Sequence, residues 1–369
     1  MILDQDSSSS SIASSTSVST EQSHFGHRRV SVSTTQSTTP SSTASDDDSK
    51  LGKVQYFCGE SASDNVLMSD SDSFKKVASE AADLCRSITH SLTSLYDDLP
   101  SWRQDNHFIR SGYRNETFSF WKCVESLSYL HNESVNIYSH LFGSLFFLGF
   151  LSVTLKVYLP KFPTTSAKDF VVFVIFFVGA VICLGISSTY HCLNCHSESV
   201  AKFGNRLDYL GIIFLIVGSF VPAIYYGLHS IPQYMPYFFA LVCTFGGICA
   251  VLTLRQEFAS SEWRSFRAGM FVIFGLSGII PLTFGGAKLG FHELWHRTQL
   301  AYLLTEGALY IGGAAIYAAR IPERFKPGHF DLIGSSHQIF HVCVLAAAVS
   351  HLIGIINAYN FVHAERFGI

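Results

Sequence analysis

From Asn136 onward the chain alternates between long apolar stretches and short polar ones. Seven of the apolar stretches run to about twenty residues, enough for a helix to cross ~30 Å of hydrocarbon. They lie near 137–159, 170–192, 207–227, 235–254, 267–285, 299–319 and 335–359. The fifth is interrupted by Gly275, Gly278, Pro281, Gly285 and Gly286, residue types that membrane helices tolerate better than soluble ones. Ahead of the spans the period changes. Between Asp72 and Asp97, Phe74, Val77, Ala78, Ala81, Leu84, Cys85, Ile88, Leu92 and Leu95 recur three and four apart, which predicts one amphipathic helix with a single apolar stripe. Ser and Thr dominate residues 1–70 and large apolar residues are scarce there, so a disordered tail is expected. The pattern as a whole predicts an all-α fold. A seven-transmembrane helix bundle over 137–359 follows the tail and an amphipathic, juxtamembrane segment (71–136), and a short tail (360–369) closes the chain.

Composition supports lipid as the solvent: 48% of the 369 residues are hydrophobic and only 14% are charged, too apolar for a soluble domain of this length. Met1-Ile-Leu-Asp runs straight into serines, so no secretory signal peptide is expected and a span should serve as the insertion signal. The formal charge of -3 and the lack of a long like-charge block beyond Asp46-Asp47-Asp48 give no reason to expect a nucleic-acid partner. The nine cysteines are scattered, several within apolar runs, and are expected to be reduced packing residues without a structural disulfide. With strictly alternating spans, Arg110, Arg114, Lys202, Arg206, Arg264 and Arg267 gather on the N-terminal side with few basic residues opposite. A cytosolic N-terminus is therefore expected. On that topology the glycosylation sequons Asn115-Glu-Thr and Asn132-Glu-Ser never meet the lumen.

The candidate chemistry lies at span ends. Ser187-Ser-Thr-Tyr-His191 ends the second span with Ser187 and His191 on one helical face, and His337-Gln-Ile-Phe-His341 opens the seventh with two imidazoles at the same spacing. Asp208 begins the third span, where a carboxylate demands a partner or a function. Alternation puts these ends at one membrane face, so three imidazoles and a carboxylate can converge. Three neutral His with an open fourth position is the arrangement of catalytic zinc, so His191, His337 and His341 are the expected Zn2+ ligands. Asp208 would serve as a base or water holder, and Ser187 would bond that water or polarise a carbonyl. His140, His351, Glu306 and Tyr310 also fall within spans, but no second partner set emerges, so packing or cavity-lining roles are expected. Cys192-Leu-Asn-Cys195-His196 matches the c-type haem pattern but belongs to the basic, cytosolic set, the wrong face for haem attachment. Arg28-Arg29-Val30-Ser31 has the form of a basophilic kinase site.

The ordered motifs resemble the progestin and adipoQ receptor (PAQR) family, in its adiponectin-receptor-like branch, with a more distant relation to hemolysin III proteins. They are Leu99-Pro-Ser-Trp102 with Asp105-Asn106 and Gly112-Tyr-Arg114; His131-Asn-Glu133 with Asn136-Ile-Tyr-Ser-His140; Ser187 to His191 with Cys195-His-Ser-Glu198 and Leu207-Asp208-Tyr209; and Ser336-His337 to His341. The resemblance covers about 98 to 358, and the Ser-rich tail hints at a fungal-type member. It implies seven helices with a cytosolic N-terminus and zinc on His191, His337 and His341. It also implies that Asp208 and Ser187 stand beside the metal-bound water, in a cavity that admits a lipid chain. The related alkaline ceramidases point to amide hydrolysis, and the family is linked to lipid and fatty-acid metabolism and, in fungi, to zinc homeostasis. Adiponectin itself is not carried over, because outer loops such as Gly227 to Tyr234 are too short to predict a protein ligand.

The leading expectation is a membrane receptor or sensor of lipid metabolism, resident in endoplasmic reticulum or plasma membrane, whose zinc site hydrolyses a lipid amide such as ceramide and whose cavity holds ceramide or fatty acid. The alternative is a non-enzymatic receptor in which zinc only ties spans two and seven together. A G-protein-coupled receptor is disfavoured, since span three ends at Tyr226-Gly-Leu-His229 without an acidic-Arg-aromatic triplet. Transport is disfavoured because no inverted repeat is visible.

Overall fold

The computed structural model describes residues 76–81, 92–255, 257 and 261–367. The Ser-rich tail, its Arg28-Arg29-Val30-Ser31 motif and most of the amphipathic stripe lie outside the described residues. The stripe is helical at 76–81 and at Leu92, but it does not continue as helix to Asp97. Thr93–Ser94 instead forms strand β1, antiparallel to β2 (Tyr113–Arg114), with Thr93 opposite Arg114 and Ser94 opposite Tyr113. The Tyr96 N–H donates to the Arg110 carbonyl at 2.9 Å, and Tyr96 packs with Leu99, Ile109 and Tyr113 in a small apolar cluster. These cross-chain partners outweigh the local helical period.

A short helix α1 (Phe120–Glu125) leads into the bundle: α2 (Ser134–Val153) with a π-helical turn at Thr154–Tyr158, α3 (Ala167–Leu193), α4 (Glu198–Gly227), α5 (Met235–Leu254), α6 (Arg264–Leu276), α7 (Ile279–Leu289), α8 (Phe291–Thr298), α9 (Leu300–Ala319) and α10 (Ser336–Phe367). Among the described residues seven helical stretches are long and apolar enough to cross a membrane, with α6 and α7 together making the fifth. Each overlaps its predicted span. The fifth breaks at Ser277–Gly278, where a Cβ on Gly278 would lie 2.6 Å from the Phe220 ring and Pro281 lacks the N–H that would bond back one turn. The sequence expectation did not include α8. Below, the proximal end is the end of the bundle at which the chain enters α2, and the distal end is the opposite one.

Aromatic packing fills the centre. Phe147 of α2 meets Phe176 and Phe177 of α3 edge-on, with ring centroids 5.8 and 6.2 Å apart, and Phe173 meets Tyr226 and Tyr359. The outward faces expose Phe142, Val157, Val251 and Ile273, as lipid-facing surfaces do. The closest helix contact, α3 on α4, is made by small residues: a Cβ on Gly179 would lie 2.6 Å from the Phe214 carbonyl oxygen, and one on Gly211 3.1 Å from the Cys183 Cα. One turn beyond the Gly211–Cys183 contact, this antiparallel register sets Ser187 of α3 against Asp208 of α4.

Candidate metal centre

His191 lies in the last turn of α3, and His337 and His341 lie in the first turns of α10. Their rings form a nearly equilateral triangle, with centroids 4.9 Å (His191–His337), 4.7 Å (His191–His341) and 4.9 Å (His337–His341) apart. One nitrogen from each lies within 4.8 Å of the others. Asp208 and Ser187 are beside them: the Ser187 hydroxyl neighbours the Asp208 carboxyl, which also feels His191 and Glu133. The five sequence-predicted site residues are therefore brought together around one cavity.

Two of the three imidazoles, His191 and His341, are turned by a group outside the triangle. His191 Nδ1 is 2.7 Å from Glu133 Oε2, so its buried Nε2, which has no hydrogen-bond partner among the described residues, faces inward. His341 Nδ1 lies 3.3 Å from the Asn136 carbonyl, which likewise frees Nε2 for the centre. His140 stacks on His341 with centroids 3.8 Å apart, within the packing or cavity-lining role expected of it. Glu133 is fully engaged: Asn136 Nδ2 donates to Oε2 at 2.6 Å and Asn194 Nδ2 to Oε1 at 3.1 Å. A partly buried carboxylate on one ring nitrogen with the other left bare is the arrangement that orients a metal-ligating histidine, so the residues present fit a divalent ion such as zinc.

The helix ends bearing the ligands are braced. Arg114, almost wholly buried, donates from Nη2 to the His191 carbonyl at 2.6 Å and to Asn194 Oδ1 at 2.7 Å. Its Nη1 donates to the Cys192 carbonyl at 2.9 Å and to Ser126 Oγ at 2.8 Å. A guanidinium thus satisfies carbonyls that the end of α3 leaves unpaired and complements the negative end of its dipole. At α10 the buried Glu323 carboxylate accepts from the Ser336 N–H at 2.8 Å, from the Ser336 hydroxyl, and from Asn106 Nδ2 at 3.1 Å. Gln338 ties the same turn to the loop before α2, donating to the Asn132 and Leu332 carbonyls at 2.9 Å each. The sequence reading assigned no role to Glu133, Arg114 or Glu323. Only Glu133 had a usable signal, since it directly precedes the first span and so lies at the face where alternation had already gathered the other ligands.

The haem-like pattern is absorbed by packing: Cys195 Sγ is 3.6 Å from Cys123 Sγ beneath α1, and His196 stacks on Phe120. All seven cysteines among the described residues are free. Deeper in the bundle His351 and Glu306 line the cavity, as expected of them, and they also form a pair that the sequence did not show: His351 Nδ1 of α10 lies 2.6 Å from Glu306 Oε2 of α9. Two spans distant in sequence supply that pair, which is why spacing within either span could not reveal it.

The triangle opens on a cavity of about 1070 Å³ that runs from Arg103 and Arg206 at the proximal end to Leu294 and Thr298 near the distal end. Much of its wall is apolar, lined by residues such as Ile212, Ile216, Phe340 and Val344, and its volume suits a long, mostly hydrocarbon ligand.

Over residues 128–352 the sequence matches the haemolysin-III-related family. It is 47% identical to the ADIPOR-like receptor IZH2 of Saccharomyces cerevisiae, across 73% of this chain and 85% of that protein. It is 40% identical to the adiponectin receptor protein of Drosophila melanogaster, across 73% of this chain and 61% of that one. With heptahelical transmembrane protein 1 of Arabidopsis thaliana the identity is 34%, across 69% and 78%.

Proposed function

Because the chain belongs to the haemolysin-III-related family and is a multi-pass integral membrane protein akin to adiponectin-receptor-like receptors, we propose that it is a zinc-dependent receptor or sensor of lipid metabolism whose centre hydrolyses a lipid amide such as ceramide. The observation that carries the reading is the bare, buried His191 Nε2 facing His337 and His341 at the wall of an apolar cavity. His191, His337 and His341 would hold Zn2+, which supplies Lewis acidity towards a carbonyl and a more acidic water. The chain's own groups do the rest. Glu133 fixes the His191 ring. The cavity takes the acyl chain and excludes bulk water from it. Asp208 accepts the proton released as water adds to the amide carbon, and returns it to the departing amine as the C–N bond breaks. The Ser187 hydroxyl donates to the carbonyl oxygen, where negative charge grows. The same reading places the N-terminus in the cytosol, in endoplasmic reticulum or plasma membrane, and links the protein to zinc homeostasis.

A second reading is favoured by one observation: the three ligands join α3 to α10, and Arg114, Glu323 and Gln338 brace the same ends, as a purely structural metal in a receptor would require. Zinc content and fatty-acid release from ceramide, measured on the native protein and on a His337→Ala/His341→Ala variant, test the metal. About one zinc per chain is expected, lost together with hydrolysis. Asp208→Asn then separates the readings. Retained zinc with hydrolysis down by about 10²–10⁴-fold is expected of an enzyme, whereas zinc without any hydrolysis in the native protein would leave the structural role.

A further inference from the structure

The cavity does not end at the metal centre. Ten residues further along the continuous helix α10, roughly 15 Å at about 1.5 Å per residue, it reaches a second polar cluster at the middle of the bundle. Phe340 and Val344, on the turns between, give the wall an apolar surface. The cluster consists of His351 of α10 with Glu306 and Tyr310 of α9, the last two one turn apart on one helical face. His351 is almost wholly buried, its ring lies 4.9 Å from that of Phe176, and its Nδ1 is 2.6 Å from Glu306 Oε2. The other ring nitrogen, Nε2, is buried without a hydrogen-bond partner among the described residues, and so is the Tyr310 hydroxyl. All three residues line the cavity.

A carboxylate and two unsatisfied polar atoms in the middle of a membrane-spanning bundle are costly. A pair serving only to join α9 to α10 would not require a buried bare nitrogen and a buried bare hydroxyl on residues that line the cavity. The donor and acceptor chemistry defines what they take. With the proton of His351 on Nδ1 towards Glu306, Nε2 is an acceptor; with the proton on the carboxyl, Nε2–H is a donor. Tyr310 can donate or accept. A hydroxyl, which both donates and accepts, suits either atom in either state, whereas an ether or ketone oxygen only accepts.

We propose that His351, Tyr310 and Glu306 form a second recognition station, which binds a hydroxyl carried part-way along a lipid chain whose polar end lies at the three imidazoles. The proposal rests on the lipid reading of the cavity given above and narrows its ligand to chain-hydroxylated lipids.

The test is equilibrium binding to the detergent-purified full chain of two labelled saturated fatty acids of equal length, one bearing a single hydroxyl near mid-chain and one unsubstituted. A third acid, with its hydroxyl next to the carboxyl, controls for added polarity. The mid-chain hydroxyl is expected to tighten binding about ten-fold, the worth of one or two buried hydrogen bonds, and the control hydroxyl is expected to give no gain. Tyr310→Phe, which removes an oxygen that holds no partner in the fold, should bring the ratio of affinities down towards one. Equal affinities in the native protein, no binding by either acid, or an unchanged ratio in Tyr310→Phe would each overturn the station. Because the readout is a ratio of affinities, it stands apart from catalysis. A preserved ratio without ceramide hydrolysis would sink the catalytic reading and support the station, and hydrolysis with a ratio of one would sink the station alone.

Discussion

His191 can face its two partner imidazoles only if its other nitrogen is held, and Glu133 holds it at 2.7 Å. Replacing Glu133 with Gln keeps the shape but removes the charge, and it allows an amide N–H to point at the ring. Zinc affinity is expected to fall about 10–100-fold, as loss of an outer partner of a metal-ligating histidine commonly does. Competition with a chelator of known affinity measures it, and an unchanged affinity would mean that packing of Tyr190 on the His191 ring suffices to orient it. The residues of the triangle were legible in the sequence because two imidazoles four apart on a helix have few other uses and span alternation put the third beside them. The residues that aim them were not. Arg114 reaches His191 from strand β2, far earlier in the chain, through a contact that no periodicity encodes.

The approach of α3 to α4 decides whether Asp208 and Ser187 meet, and it depends on the absence of side chains at Gly179, Gly211 and Gly218. Gly179→Ala would press a methyl group to 2.6 Å from a backbone oxygen that cannot swing away. A stability loss on the order of 1–3 kcal/mol is expected, read as a lower melting temperature in detergent, together with weaker zinc retention. Gly247→Ala on the outer face of α5, where an added Cβ meets nothing within 4 Å, should leave both unchanged and serves as the control. Equal melting of the two variants would refute the close-contact argument. At this scale the spans were legible from hydropathy, down to the weak fifth one, but their polar ends were not. α4 starts at Glu198, well ahead of its apolar run, and α10 continues to Phe367, through polar residues that a hydropathy window does not register as span. The short helix α8 was missed for the same reason: its eight residues alternate charge with apolar contacts and carry no long apolar run.

For the whole molecule, the basic residues cluster where the chain enters the bundle, and Arg264, Arg267 and Arg114 are buried there in ion-pair, ring or carbonyl contacts. If that end is cytosolic, a glycosylation sequon engineered into the distal loop at 229–233 should acquire a glycan in a eukaryotic host, while Asn115 and Asn132 stay bare. A mobility shift removed by an endoglycosidase reports it, and glycans on Asn115 would reverse the topology. The division of the ligands between α3 and α10 also bears on how the protein is made. Spans leave the ribosome in order, so a nascent chain halted anywhere before Ser336 owns one imidazole of the three and cannot close the centre. If the three imidazoles take a metal, its capture therefore waits for the seventh span, and a ligated centre would certify that every span has been delivered and that the final one has docked.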